Sequence, residues 1–314
     1  MAISSRPYDP ARDNVPVLDL LRAARATATS DRYPTTHRLT LLLASRLWDS
    51  QQDASLWYDS AGTLVGFALL WRRTQEHTHV GLECIAHPAA RQQTIAGLVL
   101  SWAVVSTTER SQRLGQSMSV GLSIHADDQL WPALLDSFGF GLQADYNVYM
   151  GRQLDASLPE PALPDGFTMR PLAGPDELLA YETLYSFAPI AADLRRTLLH
   201  DPDYLHLVAV SPDGKLVGFC ECSVDRVEWA LGGSRTAWID YLGTRPDYRG
   251  RGLGRALLLA AMRRMREAGA ERIALITMGT NERAQRVYRQ VGMGIAERDF
   301  VYTLDVVPPY ANGE

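Results

Sequence analysis

The chain's 314 residues are enough for two domains of ordinary size, and 46% hydrophobic with 21% charged residues is the balance of a globular protein, not a disordered one. A net charge of −5 offers no field for nucleic acid, so no nucleic-acid partner is expected. No apolar run approaches the roughly 18 residues of a membrane span, and Met1 to Pro10 is too polar for a signal peptide, so no membrane partner is expected and the cytoplasm is the expected location.

Along the chain, the first half reads through its likeness to the second. Gly62-Thr63-Leu64-Val65-Gly66-Phe67 returns as Gly214-Lys215-Leu216-Val217-Gly218-Phe219. His87-Pro88 returns as Arg245-Pro246, and Phe138-Gly139-Phe140-Gly141 as Val291-Gly292-Met293-Gly294. The order is kept and the spacing drifts by only a few residues, which is the mark of a tandem duplication. Between the halves, Gly151 to Gly166 carries Pro159, Pro161 and Pro164 without apolar periodicity and reads as a linker. The expected division is 1–152, a linker over 153–166, and 167–314.

The second half opens on a short strand, Phe167 to Arg170, followed by helices over Asp176 to Phe187 and Ala191 to Leu199. Leu205 to Val210 and Leu216 to Val224 flank the turn Pro212-Asp213-Gly214 and read as a hairpin. On that second strand Cys220 and Cys222 share a face and Glu221 takes the other. With Cys84 they make three cysteines and no CxxC pair, so apolar filling is expected of them, and neither a disulfide framework nor a metal site. Ala237 to Thr244 is a strand that leads to a glycine-rich turn. The helix Leu253 to Ala268 turns Leu258, Met262 and Met265 to the sheet and Arg263, Arg264 and Arg266 to water, and Gly269 ends it. Arg272 to Met278 is an apolar strand. Asn281 caps a helix that reaches Gln290 before Gly292, and Arg298 to Val306 is the final strand.

The turn carries the chemistry. Asp240 to Arg255 places Gly250, Gly252 and Gly254 at alternate positions between a strand and a helix. Backbone N–H groups bare of side chains, at the positive end of a helix dipole, form an anion cradle, and Arg249, Arg251 and Arg255 add charge around it. The ligand expected is phosphorylated. A dinucleotide fingerprint fails because Arg255 holds its third glycine position, and a Walker loop fails because the only lysine is Lys215.

Arg-Gly-Arg-Gly-Leu-Gly after a strand ending in Arg245-Pro246 resembles the pyrophosphate loop of the GNAT superfamily, the acyl-CoA-dependent N-acyltransferases. The order β-α-α-β-β-β-α-β-α-β of the second half is also that of the GNAT fold. A second motif, Asn281, Ala284, Tyr288, Gly292 and Met293, resembles the family's C-terminal motif, in which the tyrosine hydroxyl faces the sulfur of coenzyme A. Ala284 and Tyr288 lie four residues apart on one helix face, and the small alanine leaves room beside the phenol. Taken alone Tyr288 reads as a core tyrosine; with the glycine loop upstream, the functional reading is the better one. The fold class expected is therefore α/β with a mixed α+β sheet, as two tandem GNAT domains.

The resemblance implies acetyl-CoA as co-substrate, no metal, and a primary amine acceptor on a small molecule or a peptide N-terminus. It places Leu242, Gly243, Thr244, Arg249, Gly250, Arg251, Gly252, Leu253, Gly254, Arg255, Asn281, Ala284 and Tyr288 against the cofactor. Backbone N–H groups of Leu242 to Thr244 would hold the pantetheine arm, and one of them would polarise the thioester carbonyl. Tyr288 would donate to the departing thiolate as general acid. The amine attacks only after losing a proton, and Asp240 is the first choice of base, Glu221 the second, with a water chain as the third option. The acceptor would lie against Tyr185 to His206, where Asp193, Asp201 and Asp203 favour a cation, Arg195 and Arg196 an anion, and the signs cancel. His200 and His206 read as surface residues there, and Trp229 and Trp238 as either pocket or core.

The first half departs from the pattern. Aligned on His87-Pro88, its loop is Arg91-Gln92-Gln93-Thr94-Ile95-Ala96, with a side chain at every glycine position and β-branched Thr94 where Gly252 stands. Aligned on Gly139, Leu135 stands where Tyr288 does. This half is expected to be a degenerate partner that walls the substrate site. A monomer that is internally a pseudo-dimer, or a homodimer, is consistent with that layout. Length and the degenerate first half also resemble mycothiol synthases of actinobacteria, which acetylate a cysteinyl amine; antibiotic-modifying and polyamine acetyltransferases stand beside them. A non-catalytic acyl-CoA-binding sensor is the alternative from another class, and the intact Tyr288 argues against it.

Overall fold

The computed structural model describes residues 2–27, 33–45, 47–72, 78–90, 92–155, 157–184, 198–230 and 234–308. They fall into two compact units, one made of 1–146 with 299–314 and the other of 147–298.

The first unit contains β1 (Ser4–Pro7), β2 (Ala54–Tyr58), β3 (Leu64–Trp71), β4 (His79–Ala86) and β5 (Met118–His125), paired in that order. Its sixth strand is residues 299–306 of β12 (Gly294–Val306), antiparallel to β5 with Asp299 opposite His125 and Val306 opposite Met118. β4 and β5 are parallel and the other neighbours antiparallel. The side-chain period of two sorts the core into layers. Leu56, Phe67 and Leu69 pack with Val17, Leu21 and Leu39 of helices α1 (Pro10–Thr27) and α2 (Thr36–Leu43). Their neighbours Trp57, Ala68 and Leu70 pack with Ile95, Val99 and Leu100 of α3 (Gln92–Leu114), alongside Leu135 of α4 (Trp131–Ser137).

The second unit repeats this plan. Its strands are β7 (Thr168–Pro171), β8 (Tyr204–Val210), β9 (Leu216–Ser223), β10 (Thr236–Thr244) and β11 (Arg272–Met278), again paired in chain order with the last two parallel. The sixth strand is residues 147–153 of β6 (Gly141–Gln153), antiparallel to β11. Helices α5 (Leu178–Glu182), α6 (Arg226–Ala230), α7 (Leu253–Glu267) and α8 (Glu282–Gln290) complete it. α7 buries Leu257, Leu258, Met262 and Met265, as its period requires.

The structure departs from the expectations in several places. The final strand closes the first unit, not the second, and the second is closed by β6. Because the halves repeat, the open edges of β5 and β11 are equivalent, and alternation along a strand carries no label saying which edge it joins. The compact units accordingly divide at 146 and 298, not at 152. The supposed linker is also held down: Leu154 and Leu158 are buried, Arg263 donates to the Leu158 carbonyl at 2.9 Å, and Arg266 to the Asp155 carbonyl at 2.7 Å. Those two arginines therefore serve this segment, not open water. The helix expected over Asp176 to Phe187 is a 3-10 turn at Pro175–Glu177 running into α5, and 185–187 lie outside the described residues. Most of the expected helix Ala191 to Leu199 lies outside them too.

Candidate functional site

Parallel strands β10 and β11 pair only where Thr236, Ala237 and Trp238 face Arg272, Ile273 and Ala274. Beyond those residues each runs on, β10 to Thr244 and β11 to Met278, paired on its outer side with β9 or β6. The parted inner edges carry backbone N–H and C=O groups that no neighbouring strand of the pair takes up, a setting for an amide-bearing ligand arm. A bulge in β10 accompanies the parting: Ile239 is opposite Cys222, Tyr241 is opposite Glu221, and Asp240 is the extra residue. The bulge resets the alternation, so Leu242, opposite Cys220, is on the face of Ile239 and not on that of Trp238 as simple parity predicts. Trp238 packs edge-on to Tyr149, ring centroids 6.4 Å apart, and belongs to the core.

β10 delivers the glycine turn. Gly250 and Gly252 are left-handed, with φ of 78° and 84°, and a Cβ at either would meet nothing within 4 Å. Backbone and space together make room for a ligand against the turn. Gly252 caps α7 without a side-chain hydrogen bond, so the N–H groups of the first turn point outward from the positive end of the helix. Arg249 Nε donates to the Thr244 carbonyl at 3.0 Å and fastens the turn to the strand. Arg251 lies 5.2 Å over the Tyr248 ring and donates to the Asp247 carbonyl at 3.3 Å, so its guanidinium is turned to the preceding 3-10 segment.

α8 packs beside α7 and carries the second motif. Asn281 caps it, accepting from the Ala284 N–H at 3.3 Å. Tyr288 is buried, and that burial, with the Cys220 thiol nearby, pushes its phenol up to about 12. The phenol therefore stays protonated at any neutral pH. Gln285, which pattern reading passed over, is 4% exposed and donates to the carbonyls of Met278 at 3.2 Å and Gly279 at 2.8 Å, tying α8 to the end of β11. A lone glutamine on a polar helix gives no signal of this kind. At the other end Arg152 donates to the Val291 carbonyl at 2.7 Å behind left-handed Gly292.

The two candidate carboxylates differ. Asp240 is half-buried on the bulge. Glu221 is fully buried: it accepts from the Tyr181 hydroxyl at 2.6 Å and the Tyr204 hydroxyl at 2.7 Å, and His206 Nδ1 lies 3.4 Å away. Burial first, and the Asp240 charge also, push Glu221 up to about 8, against the Tyr181 hydrogen bond. His206, expected on the surface, is 5% exposed and sits between the rings of Tyr181 and Tyr204. Asp203 pairs with Arg226 at 2.6 Å, while Asp193, Arg195 and Arg196 lie outside the described residues.

In the first unit, β4 and β5 also part after three paired residues, above a cleft lined by Glu83, Cys84, Ser123, His125 and Trp131. The loop differs. Gln92 already begins α3, so Thr94 is helical, and Arg91 lies outside the described residues.

Residues 171–293 match the family described as Acetyltransferase (GNAT) family. A mycothiol acetyltransferase of Salinispora arenicola is 31% identical over 293 residues, covering 88% of this chain and 89% of the relative. Among solved structures, a GCN5-related N-acetyltransferase from Sphaerobacter thermophilus superposes with a TM-score of 0.68 at 23% identity, over 98% of this chain and 96% of that one. A tandem GNAT protein from the clavulanic acid biosynthesis pathway does so with a TM-score of 0.70 at 16% identity, over 98% and 99%. The fold is the tandem GNAT fold. Among the described residues no helix is long and apolar enough to cross a membrane.

Proposed function

The chain belongs to the GNAT acetyltransferase family, and from that premise we propose that it moves an acetyl group from acetyl-CoA to the primary amine of a small molecule, with the chemistry in the second unit. The open, left-handed turn at Gly250 and Gly252, set where β10 and β11 part, is the observation that carries this reading. First-turn N–H groups and Arg255 would hold the phosphates, the inner edge of Leu242 to Thr244 the pantetheine amides, and Ala284 would leave room for the thiol end. The co-substrate supplies the activated acetyl group, and no covalent enzyme intermediate is needed.

The residues of the chain manage protons. The acceptor ammonium loses one to Asp240, the half-buried carboxylate beside the parted strands. The free amine attacks the thioester carbonyl, whose growing negative charge is met by a β10 N–H. Tyr288 gives its proton to the departing thiolate and is restored by the second proton, which the nitrogen sheds as the amide forms. The first unit would carry no chemistry of its own. Relatives that are mycothiol acetyltransferases favour a mycothiol-type acceptor presenting a cysteinyl amine. Calorimetric titration with acetyl-CoA tests the reading: one site per chain, lost in Gly252→Glu, supports it, and no binding by the wild type sinks it.

A further inference from the structure

A carboxylate with an ordinary pKa of about 3.9 is a poor base for an ammonium ion. The fold sets a second carboxyl behind Asp240. Glu221 is opposite Tyr241, the residue next to Asp240 on the bulge, and the electrostatics of the two carboxyls are coupled. The groups packed around Glu221 are Tyr181 from α5, Tyr204 and His206 from β8, and Asp240 and Tyr241 from β10, with Cys222 beside it on its own strand. Fully buried acids of this kind are rare without a role. Here two phenols are positioned to donate to the ionised form, one on each carboxylate oxygen, and that form is what they stabilise.

Building on the acetyl-transfer reading, we propose that Asp240 and Glu221 work as one carboxylate pair: the acceptor's proton enters at half-buried Asp240, and Glu221, held by Tyr181 and Tyr204, is the positioning residue that makes the pair basic enough to keep it. The proton balance is simple. The fully ionised pair takes one proton from the ammonium, carries it as a singly protonated pair, and returns it to solvent through Asp240 after the acetylated product leaves. The proton affinity belongs to the pair and not to either residue. Burial and the Asp240 charge raise that affinity toward neutrality, and the two phenols limit the rise.

The test needs no acceptor at first. In protein labelled with carbon-13 at glutamate carboxyls, the Glu221 resonance, assigned by its loss in Glu221→Gln, is followed against pH. A midpoint near 8 is expected, falling in Asp240→Asn because the neighbouring charge is gone, and rising in Tyr181→Phe because a donor to the ionised form is gone. Tyr181→Phe keeps both carboxyls and guards against a variant that fails to fold. A Glu221 midpoint in the ordinary glutamate range, or one that ignores Asp240→Asn, overturns the pair. The kinetic arm uses acetyl-CoA with S-methylcysteine methyl ester, a cysteinyl primary amine. Wild-type kcat/KM should rise through the same midpoint, and Glu221→Gln should lose that limb and about tenfold in rate, short of the roughly hundredfold expected for removing the base itself. Coupled titration with no acetyl transfer to any amine would keep the pair and reject the acetyltransfer reading; transfer with an unchanged pH limb in Glu221→Gln would do the reverse.

Discussion

Residues 87–96 and 245–254 leave corresponding strands of the two units and end differently. The second stretch turns through two left-handed glycines before its helix begins at Leu253. In the first, the helix has already begun at Gln92, with glutamines and a threonine in the corresponding positions. The first unit nevertheless keeps the sheet order, the parallel pair and its early parting. The fold thus does not need the glycines, whose freedom costs entropy on folding. On the proposed reading, their presence in the second unit leaves the backbone open to the phosphates of the co-substrate. The same reasoning covers Leu135, fully buried at the position where the second unit has Tyr288. A leucine packs that helix without a phenol, so packing alone does not call for the hydroxyl.

The largest effect should come from Tyr288. Tyr288→Phe keeps the ring and should lower kcat by roughly 10² to 10⁴, the usual worth of a general acid, with acetyl-CoA affinity within about twofold. Because burial lifts the phenol to about 12, the wild-type rate should show no loss from phenol ionisation below about pH 11. A steady-state pH series on both proteins checks this. An unchanged kcat in Tyr288→Phe would make the two helices equivalent and remove the contrast.

Next in size is the turn. Gly252→Glu puts a side chain at a φ of 84° and a negative charge where phosphates are expected. Strain of about 1–3 kcal/mol together with charge repulsion should raise the acetyl-CoA dissociation constant by about 100-fold or more. Thr94→Glu, at the corresponding exposed helical position, should leave it unchanged. Calorimetry on both variants separates the units: equal losses would mean that the first also binds the cofactor.

Much of this was legible in the residues. Glycine at alternate positions after a strand has few explanations, so the residues alone mark the turn and the start of α7, and the apolar run Arg272–Met278 coincides with β11. Asn281 was legible as a cap because its side chain serves its own neighbouring backbone. What escaped was non-local. Glu221 was visible as a carboxylate on a strand, but its partners Tyr181 and Tyr204 lie 40 and 17 residues away in sequence. Gln285 reaches carbonyls beyond its helix, and the bulge at Asp240 depends on how β10 meets β9. The strand exchange was hidden because two equivalent edges accept the same pattern.

Gln285 offers a finer test. Gln285→Ala would strip hydrogen bonds from the Met278 and Gly279 carbonyls, at a cost of about 1–3 kcal/mol, and loosen the joint that aims Tyr288. A tenfold loss in kcat/KM with most of the thermal stability retained is expected from thermal melts and kinetics together. A loss of stability with full specific activity in the folded fraction would make Gln285 a structural residue only.

The smallest effect is the most even-handed one. Both units place an Asx residue before the corresponding helix: Asn281 accepts from the Ala284 N–H at 3.3 Å, and Asp128 from the Trp131 N–H at 3.1 Å. A cap is worth about 1 kcal/mol wherever it sits, because it satisfies an otherwise orphaned donor. Asn281→Ala and Asp128→Ala should therefore destabilise the chain by similar amounts in urea titrations. Only Asn281→Ala should also weaken acetyl-CoA binding, by a few-fold, since only that helix carries Ala284 and Tyr288 where the cofactor is expected, and Trp131 and Leu135 stand at the corresponding positions in the first unit. Equal stability losses with unequal binding losses would separate what the duplication kept for folding from what one copy kept for chemistry.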